Sequence, residues 1–309
     1  MKLIKSKAEL IQQREGLSGL YSHIELCGRT CYKSEDKMTD ESATVFIQNL
    51  IKRGHTAMLE QGTVYLEVAN GAVDNEWINK YAVNPYSRIV PYTNEVGNFW
   101  CVTTNLRVIN ENGWDEDLNY LVEPNEYHEK RYTFKLTTDR GVSHELVRHR
   151  VFSFAQESTR YCNYSKDKFG NELTFICPSW LNLNLGKYEF VTKEGEPVSI
   201  AGDGYFKSSL DTDKDVWILQ AMLNAELSYK GLLAEGCSPQ EARQVLPNAL
   251  KTEICMTGFA SDWKKFFALR YFEVTGKAHP DMKLLATMMK EECEKANIWN
   301  DIIKDNNEN

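Results

Sequence analysis

Two hydrophobic periods divide this chain into its expected elements. From Thr39, the run TDESATVFIQNLIKRGH sets acidic residues ahead of Phe46, Ile47, Leu50 and Ile51 and basic residues behind them, ending at Gly54. That order predicts a helix to about Arg53, with His55 just past its end. TVYLEVA alternates Val64, Leu66 and Val68 with Thr63, Tyr65 and Glu67, and RYTFKLTTD alternates Tyr132, Phe134 and Leu136 in the same way. Both predict half-buried strands. SHELVRHRVF offers Ser143 as an N-cap. The carboxy-terminal third reads as helices. VWILQAMLNAELSYKGLLAEG ends at Gly236, Ser238-Pro239-Gln240-Glu241 has capping-box spacing with Arg243 in the early turns that follow, and Leu246-Pro247 interrupts. Ser261 caps DWKKFFALRYF, and His279-Pro280 introduces DMKLLATMMKEEC.

Residues 71–130 are rich in Asn, aromatic residues and turn signals, and residues 163–211 in Gly, Asp, Asn and Lys clusters. Neither holds a sustained period, so each reads as an insertion into a single domain spanning 1–309. The expected fold class is α+β, a β-sheet packed with helices, with the two insertions at its periphery.

Charge and cysteine usage narrow the chemistry. A net charge of -8 over 309 residues argues against a nucleic-acid polymer as partner, since phosphate neutralisation needs a basic face. Any anionic ligand must meet a local basic cluster. No apolar run approaches the ~20 residues that cross a bilayer, and MKLIKSKAELIQQREG lacks an apolar signal region. The eight cysteines contain no CxxC pair, so the expected setting is a reducing cytoplasm with free thiols.

The local cluster is RHRVFSFAQESTRY, in which Arg148, His149 and Arg150 precede Ser153, Ser158 and Arg160. Guanidinium forks and hydroxyls suit a nucleotide phosphate. Three other readings compete on spacing alone. The arginines could be a solvated helix face paired with Glu145 and Glu157. Glu145 and His149, four apart, could share a helical face as metal ligands, although Arg148 and Arg150 would repel a dication. Arg148, Arg150 and Arg160 could bind RNA with Phe152, Phe154 and Tyr161 as stacking groups. Neither GxGxxG nor GxxxxGK[ST] is present, so a nucleotide cofactor would be held by side chains and helix ends.

RHR, seven residues, Ser, one residue and Arg resembles the signature of flavin-dependent thymidylate synthases. IELCGRTCYKS, RGHTAMLEQ, TFICP, EARQVLP and FFALRY follow the same family's order, and the similarity covers roughly two thirds of the chain, the insertions excepted. The resemblance implies methylation of dUMP to dTMP, with 5,10-methylenetetrahydrofolate as carbon donor, FAD as redox cofactor and NADPH as reductant. It implies FAD contacts from His55, Arg148, His149, Arg150 and Gln156. It implies dUMP contacts from Glu145, Arg148, Gln156, Glu157, Ser158, Thr159, Arg160, Arg243 and Arg270, with Arg270 acting catalytically at the uracil edge. It further implies a homotetramer with shared active sites, and neither a metal nor a cysteine nucleophile. Cys177-Pro178 reverses the Pro-Cys order of the other thymidylate synthase family, so Cys177 reads as structural. The chain departs from the family pattern at Ala57, Gln61, Ala155, Gln156, Phe259 and Lys265.

Overall fold

A computed structural model describes residues 1–166 and 169–304. Strands β1 (Lys2–Ile4) and β2 (Lys7–Ile11) lead into helices α1 (Gly16–Tyr32) and α2 (Ser42–Lys52). There follow β3 (Thr63–Ala69), α3 (Asn75–Ala82), β4 (Arg88–Thr93), β5 (Asn98–Asn105) and α4 (Leu106–Asn112). The motif region comprises β6 (Arg131–Asp139), α5 (Arg140–Leu146) and β7 (Ser153–Gln156). Next come β8 (Thr174–Ile176), β9 (Gly186–Val191), β10 (Ser199–Gly202), β11 (Tyr205–Ser208) and the long helix α6 (Lys214–Ala234). The chain continues through α7 (Pro239–Ala242), β12 (Lys251–Phe259), α8 (Ala260–Arg270), α9 (Pro280–Lys295) and α10 (Trp299–Ile303). The fold class is α+β.

The sheet that carries the motif has the order β2-β6-β12-β7 and is antiparallel throughout. β12 pairs with β6 from Lys251↔Asp139 to Phe259↔Arg131, and β7 adds to its other edge from Ile254↔Gln156 to Thr257↔Ser153. Phe134, Leu136, Ile254 and Met256 pack on one face against Trp263, Phe266 and Phe267 of α8 and Leu285 and Met289 of α9. Burying each such side chain contributes about 1.5–3 kcal/mol, so this core fixes where α8 ends and therefore where Arg270 sits. Cys27 of α1 meets Ala155 and Cys255 on the other face.

Both segments expected to be insertions carry sheet and core of their own. Residues 71–130 supply β4 and β5 to a three-stranded sheet ordered β3-β5-β4, with Tyr81, Val102, Leu106 and Ile109 buried beneath α1 and α2. Residues 163–211, of which 167 and 168 lie outside the described residues, supply β8 to β11 of a sheet ordered β11-β10-β9-β1-β8 that packs on α6.

Several local expectations need correction. Ser143 is not an N-cap: α5 begins three residues earlier, capped by Asp139, whose carboxylate accepts from the Val142 N–H at 2.8 Å. Its hydroxyl instead donates to the Arg140 carbonyl at 2.9 Å. Ser261 is inside the first turn of α8, which starts after Phe259. α7 has only four residues, with the expected capping box, and Arg243 opens a 3-10 turn after it. β3 is buried on both faces rather than one, because Thr63 and Tyr65 pack toward Arg131, whose backbone N–H donates to the Tyr65 hydroxyl at 3.1 Å. The carboxy-terminal third is not all helical, since β12 lies within it. The first predicted helix ends as its sequence requires, with Gly54 at φ +68°.

Candidate active site

Helix α5 stops at Leu146, so Arg148, His149 and Arg150 occupy the turn between α5 and β7. The His149 N–H donates to the Leu146 carbonyl at 3.0 Å, and the Phe152 N–H to the His149 carbonyl at 3.1 Å. Arg148 and Arg150 are exposed, and among the described residues neither has an ion-pair partner. The helical face that would align Glu145 and His149 as metal ligands does not form, because His149 lies beyond the helix.

Glu145 and His149 instead converge on a cation. Arg270, the last residue of α8, donates through Nε to His149 Nε2 at 3.1 Å and through Nη1 to Glu145 Oε2 at 3.1 Å. An arginine cannot accept, so His149 Nε2 is the unprotonated nitrogen and the ring carries its proton on Nδ1. Burial, then the Arg270 charge, pushes His149 down to about 4, so the imidazole is neutral at pH 7. Its ring stands edge-on to Phe266 at 5.1 Å and Phe152 at 6.3 Å.

At the far end of β7 a second group forms. Gln156 Nε2 donates to Ser143 Oγ at 2.9 Å and Thr252 Oγ1 at 3.2 Å. Glu157 is 2% exposed and commits both carboxylate oxygens, one to the Tyr164 hydroxyl and one to Lys251 Nζ, each at 2.9 Å. The Ser158 N–H donates to the Cys31 carbonyl at 2.9 Å, and the Arg160 N–H to Ser158 Oγ at 3.3 Å. Arg160 Nε donates to Gln240 Oε1 at 2.8 Å, while Arg243 Nη1 donates to Thr159 Oγ1 at 3.3 Å. Neither guanidinium has a carboxylate partner among the described residues, in a chain whose acids outnumber its bases.

The expected site residues thus fall into two groups joined by β7: Glu145, Arg148, His149, Arg150 and Arg270 at one end, and Glu157, Ser158, Thr159, Arg160 and Arg243 at the other. Gln156 ends the strand between them. His55 belongs to neither group. It is exposed and precedes the 3-10 turn Thr56–Gln61, with its N–H donated to the Leu50 carbonyl at 2.9 Å. Of the departures from the family pattern, Phe259 is buried with Arg88 over its ring at 4.4 Å, Lys265 pairs with Asp262 at 3.3 Å, and Gln61 accepts from Thr257 Oγ1 at 2.6 Å. Cavities of about 720, 270 and 680 Å³ open at other places on the chain, the second of them lined by His23, Tyr65 and Arg131. Sequence reading missed Gln240, Lys251 and Tyr164. The alternation of Lys251 and Glu253 with Thr252 and Ile254 was the signal available for one of them.

Residues 127–297 match the family model described as thymidylate synthase complementing protein, more than half of the chain, including RHRVFSFAQESTRY, EARQVLP and FFALR. The chain belongs to this family. The resemblance carried by the motif therefore holds at family level, while His55 lies before the matched span. Relatives named flavin-dependent thymidylate synthase are similar in part. That of Pyrococcus furiosus is 29% identical over 175 residues, covering 56% of this chain and 58% of the relative. That of Geobacter sulfurreducens is 29% identical over 150 residues, covering 48% and 50%. The chain thus spans about half the length of these family members. The Corynebacterium efficiens protein is 23% identical over 275 residues, covering 87% and 72%. Among solved structures, a UMP/dUMP methylase, PolB, from Streptomyces cacaoi bound with 5-Br dUMP aligns at TM-score 0.43 and 18% identity over 98% of this chain and 96% of its own. Thymidylate Synthase X from Helicobacter pylori with FAD and dUMP aligns at TM-score 0.38 and 15% identity, covering 97% and 100%.

Proposed function

We propose that this chain is a flavin-dependent thymidylate synthase that converts dUMP to dTMP. The observation that carries this reading is the set of arginines without carboxylate partners on either side of β7, next to an Arg270 held at two points. Such a donor set fits a dinucleotide cofactor and a nucleotide substrate, because phosphates supply the anions these guanidiniums lack. Arg148, His149 and Arg150, with His55 and Gln156, would hold FAD. Ser158, Thr159, Arg160 and Arg243 would take the dUMP phosphate, with Glu145, Arg148 and Gln156 completing the substrate contacts. When bound, flavin reduced by NADPH would supply the electrons and 5,10-methylenetetrahydrofolate the carbon that ends on uracil C5.

Within this scheme Arg270 sets a fixed cation against the uracil edge, where charge develops. Glu145 and the neutral His149 orient it, and His149 keeps an Nδ1–H to donate. The separation of the two arginine groups along one chain supports a homotetramer whose sites combine segments of different chains. We assign residues 1–309 to one domain of the family, elaborated by residues 71–130 and 163–211, and the protein to the cytoplasm. Among the described residues no helix is long and apolar enough to cross a membrane.

The test is direct. Purified protein is expected to bind FAD, giving flavin absorbance, and to form dTMP from dUMP when methylenetetrahydrofolate and NADPH are supplied. Folded protein that takes up no flavin on titration overturns the assignment.

A further inference from the structure

Glu157 stands immediately before the turn that presents Ser158 and Arg160, yet its side chain is committed to partners inside the protein. It is 2% exposed, and both its oxygens are occupied by Tyr164 and Lys251. A buried carboxylate is tolerated only when paired and hydrogen-bonded. The backbone around it is pinned as well: the Glu157 N–H donates to the Glu253 carbonyl at 2.8 Å, and the Ser158 carbonyl accepts from the Tyr161 and Cys162 N–H groups at 3.2 and 3.0 Å.

We infer that Lys251 and Tyr164 are positioning residues for the anion-binding turn, acting through Glu157 to fix Ser158–Arg160 and to keep the Glu157 charge away from a bound phosphate. Lys251 is suited to this. It reaches Glu157 at 2.9 Å and Glu253 at 2.6 Å, and Glu253 in turn pairs with Lys33 at 2.9 Å and Lys135 at 3.1 Å. Both of those lysines also reach Glu35, at 3.2 Å each. Three lysines therefore balance three glutamates beneath the turn. Burial disfavours the Lys251 ammonium, but Glu157 and Glu253 outweigh burial and hold it charged. Without Lys251 the freed carboxylate would repel phosphate and compete for Arg160 and Arg243, whose guanidiniums have no carboxylate of their own.

This role deepens the dUMP reading and rests on it, so the experiment has one arm that needs no substrate. In Lys251→Met the dUMP Kd is expected to rise on the order of tenfold, equivalent to ~1.4 kcal/mol. FAD content should be unchanged and kcat at saturating dUMP within about twofold. Tyr164→Phe should show a smaller rise of the same kind. Lys251→Arg should restore affinity, and the double variant Lys251→Met/Glu157→Gln should recover most of it by removing the uncompensated charge. Amide hydrogen exchange of residues 158–162, measured without ligand, should quicken in Lys251→Met and Tyr164→Phe. A folded Lys251→Met with wild-type dUMP affinity and wild-type exchange overturns the inference, as does parallel loss of FAD and dUMP binding. Should Lys251→Met fail to fold, Tyr164→Phe and the double variant decide by the same criteria. Should the wild type not bind dUMP, the proposed function falls, and the exchange arm still decides whether Lys251 and Tyr164 hold the turn.

Discussion

Replacing Arg270 separates its structural worth from its chemical worth, because the two differ in size. Its ion pair with Glu145 joins side chains 22% and 34% exposed, a setting in which such pairs contribute about 0.5 kcal/mol. The hydrogen bond to His149 adds about 1 kcal/mol. Arg270→Ala should therefore lose only ~1–2 kcal/mol of stability, measurable by urea unfolding, and should fold and retain FAD. A preorganised donor at developing charge is worth about 3 kcal/mol, or 10²–10³ in rate, so single-turnover dTMP formation should fall by roughly that factor. Arg270→Lys should be the less damaged, since one ammonium keeps the charge but cannot reach His149 Nε2 and Glu145 Oε2 as a planar fork does. An internal check comes from His149. Its depression to about 4 is owed first to burial and second to Arg270, so in Arg270→Ala its NMR titration should move upward yet stay below 6.5. Normal dTMP formation by Arg270→Ala refutes the catalytic role, and an unmoved His149 titration refutes the electrostatic account of the pair.

Three further outcomes are expected. Cys177→Ala should retain turnover, since burial raises that thiol away from the reactive thiolate form; loss of turnover with FAD and dUMP binding intact would restore a thiolate mechanism. Stability should fall in acid in two stages followed by chemical denaturation. From pH 6.5 to about 4 the unfolded chain protonates His23 and His149 while the fold keeps them neutral, costing up to about 1.4 kcal/mol per pH unit for buried His23 and less for the more exposed His149. From about 4.5 to 2 the stabilisation of Glu253 is lost, roughly 3 kcal/mol in all, because Lys251 and Lys33 outweigh burial and hold it down at about 2; a flat profile across either window counts against these assignments. Gly258→Ala should destabilise by about 1–3 kcal/mol and depress dTMP formation, since a Cβ there would stand 2.3 Å from Phe152 Cδ1, beside His149; unchanged melting would show that Phe152 yields freely.

β6 and α9 were legible because each has one face more deeply buried than the other. Phe134 and Leu136 alternate cleanly because β6 buries one side, and α9 shows its stripe for the same reason. β12 was not assigned: Lys251 and Glu253 alternate with buried Thr252 and Ile254, but every residue from Ile254 to Phe259 is buried, so the alternation stops short of a strand's length. α1 was not assigned, and its stripe is broken by buried His23, Glu25 and Thr30: His23 Nε2 meets Thr133 Oγ1 far along the chain, while Glu25 and Thr30 find partners one turn away. Asp139 was hidden as a cap because it closes a strand pattern. For the candidate site, the motif named its residues, but Gln240 against Arg160 and Lys251 against Glu157 are pairings across 80 and 94 positions, beyond any local spacing rule.

β7 makes the interval inside the motif a ruler. Its four residues, at ~3.3 Å each, set His149 and Ser158 at opposite ends of a rigid bar clamped to β12. Because strand side chains alternate, inserting or deleting one residue between Phe152 and Glu157 would do more than lengthen a linker. It would turn Gln156 away from Ser143 and Thr252 and lift Glu157 off Lys251. Side chains along the bar can vary wherever the pleat and packing allow, whereas its length cannot, so the spacing inside the motif is held by the strand and not only by the residues that the motif names.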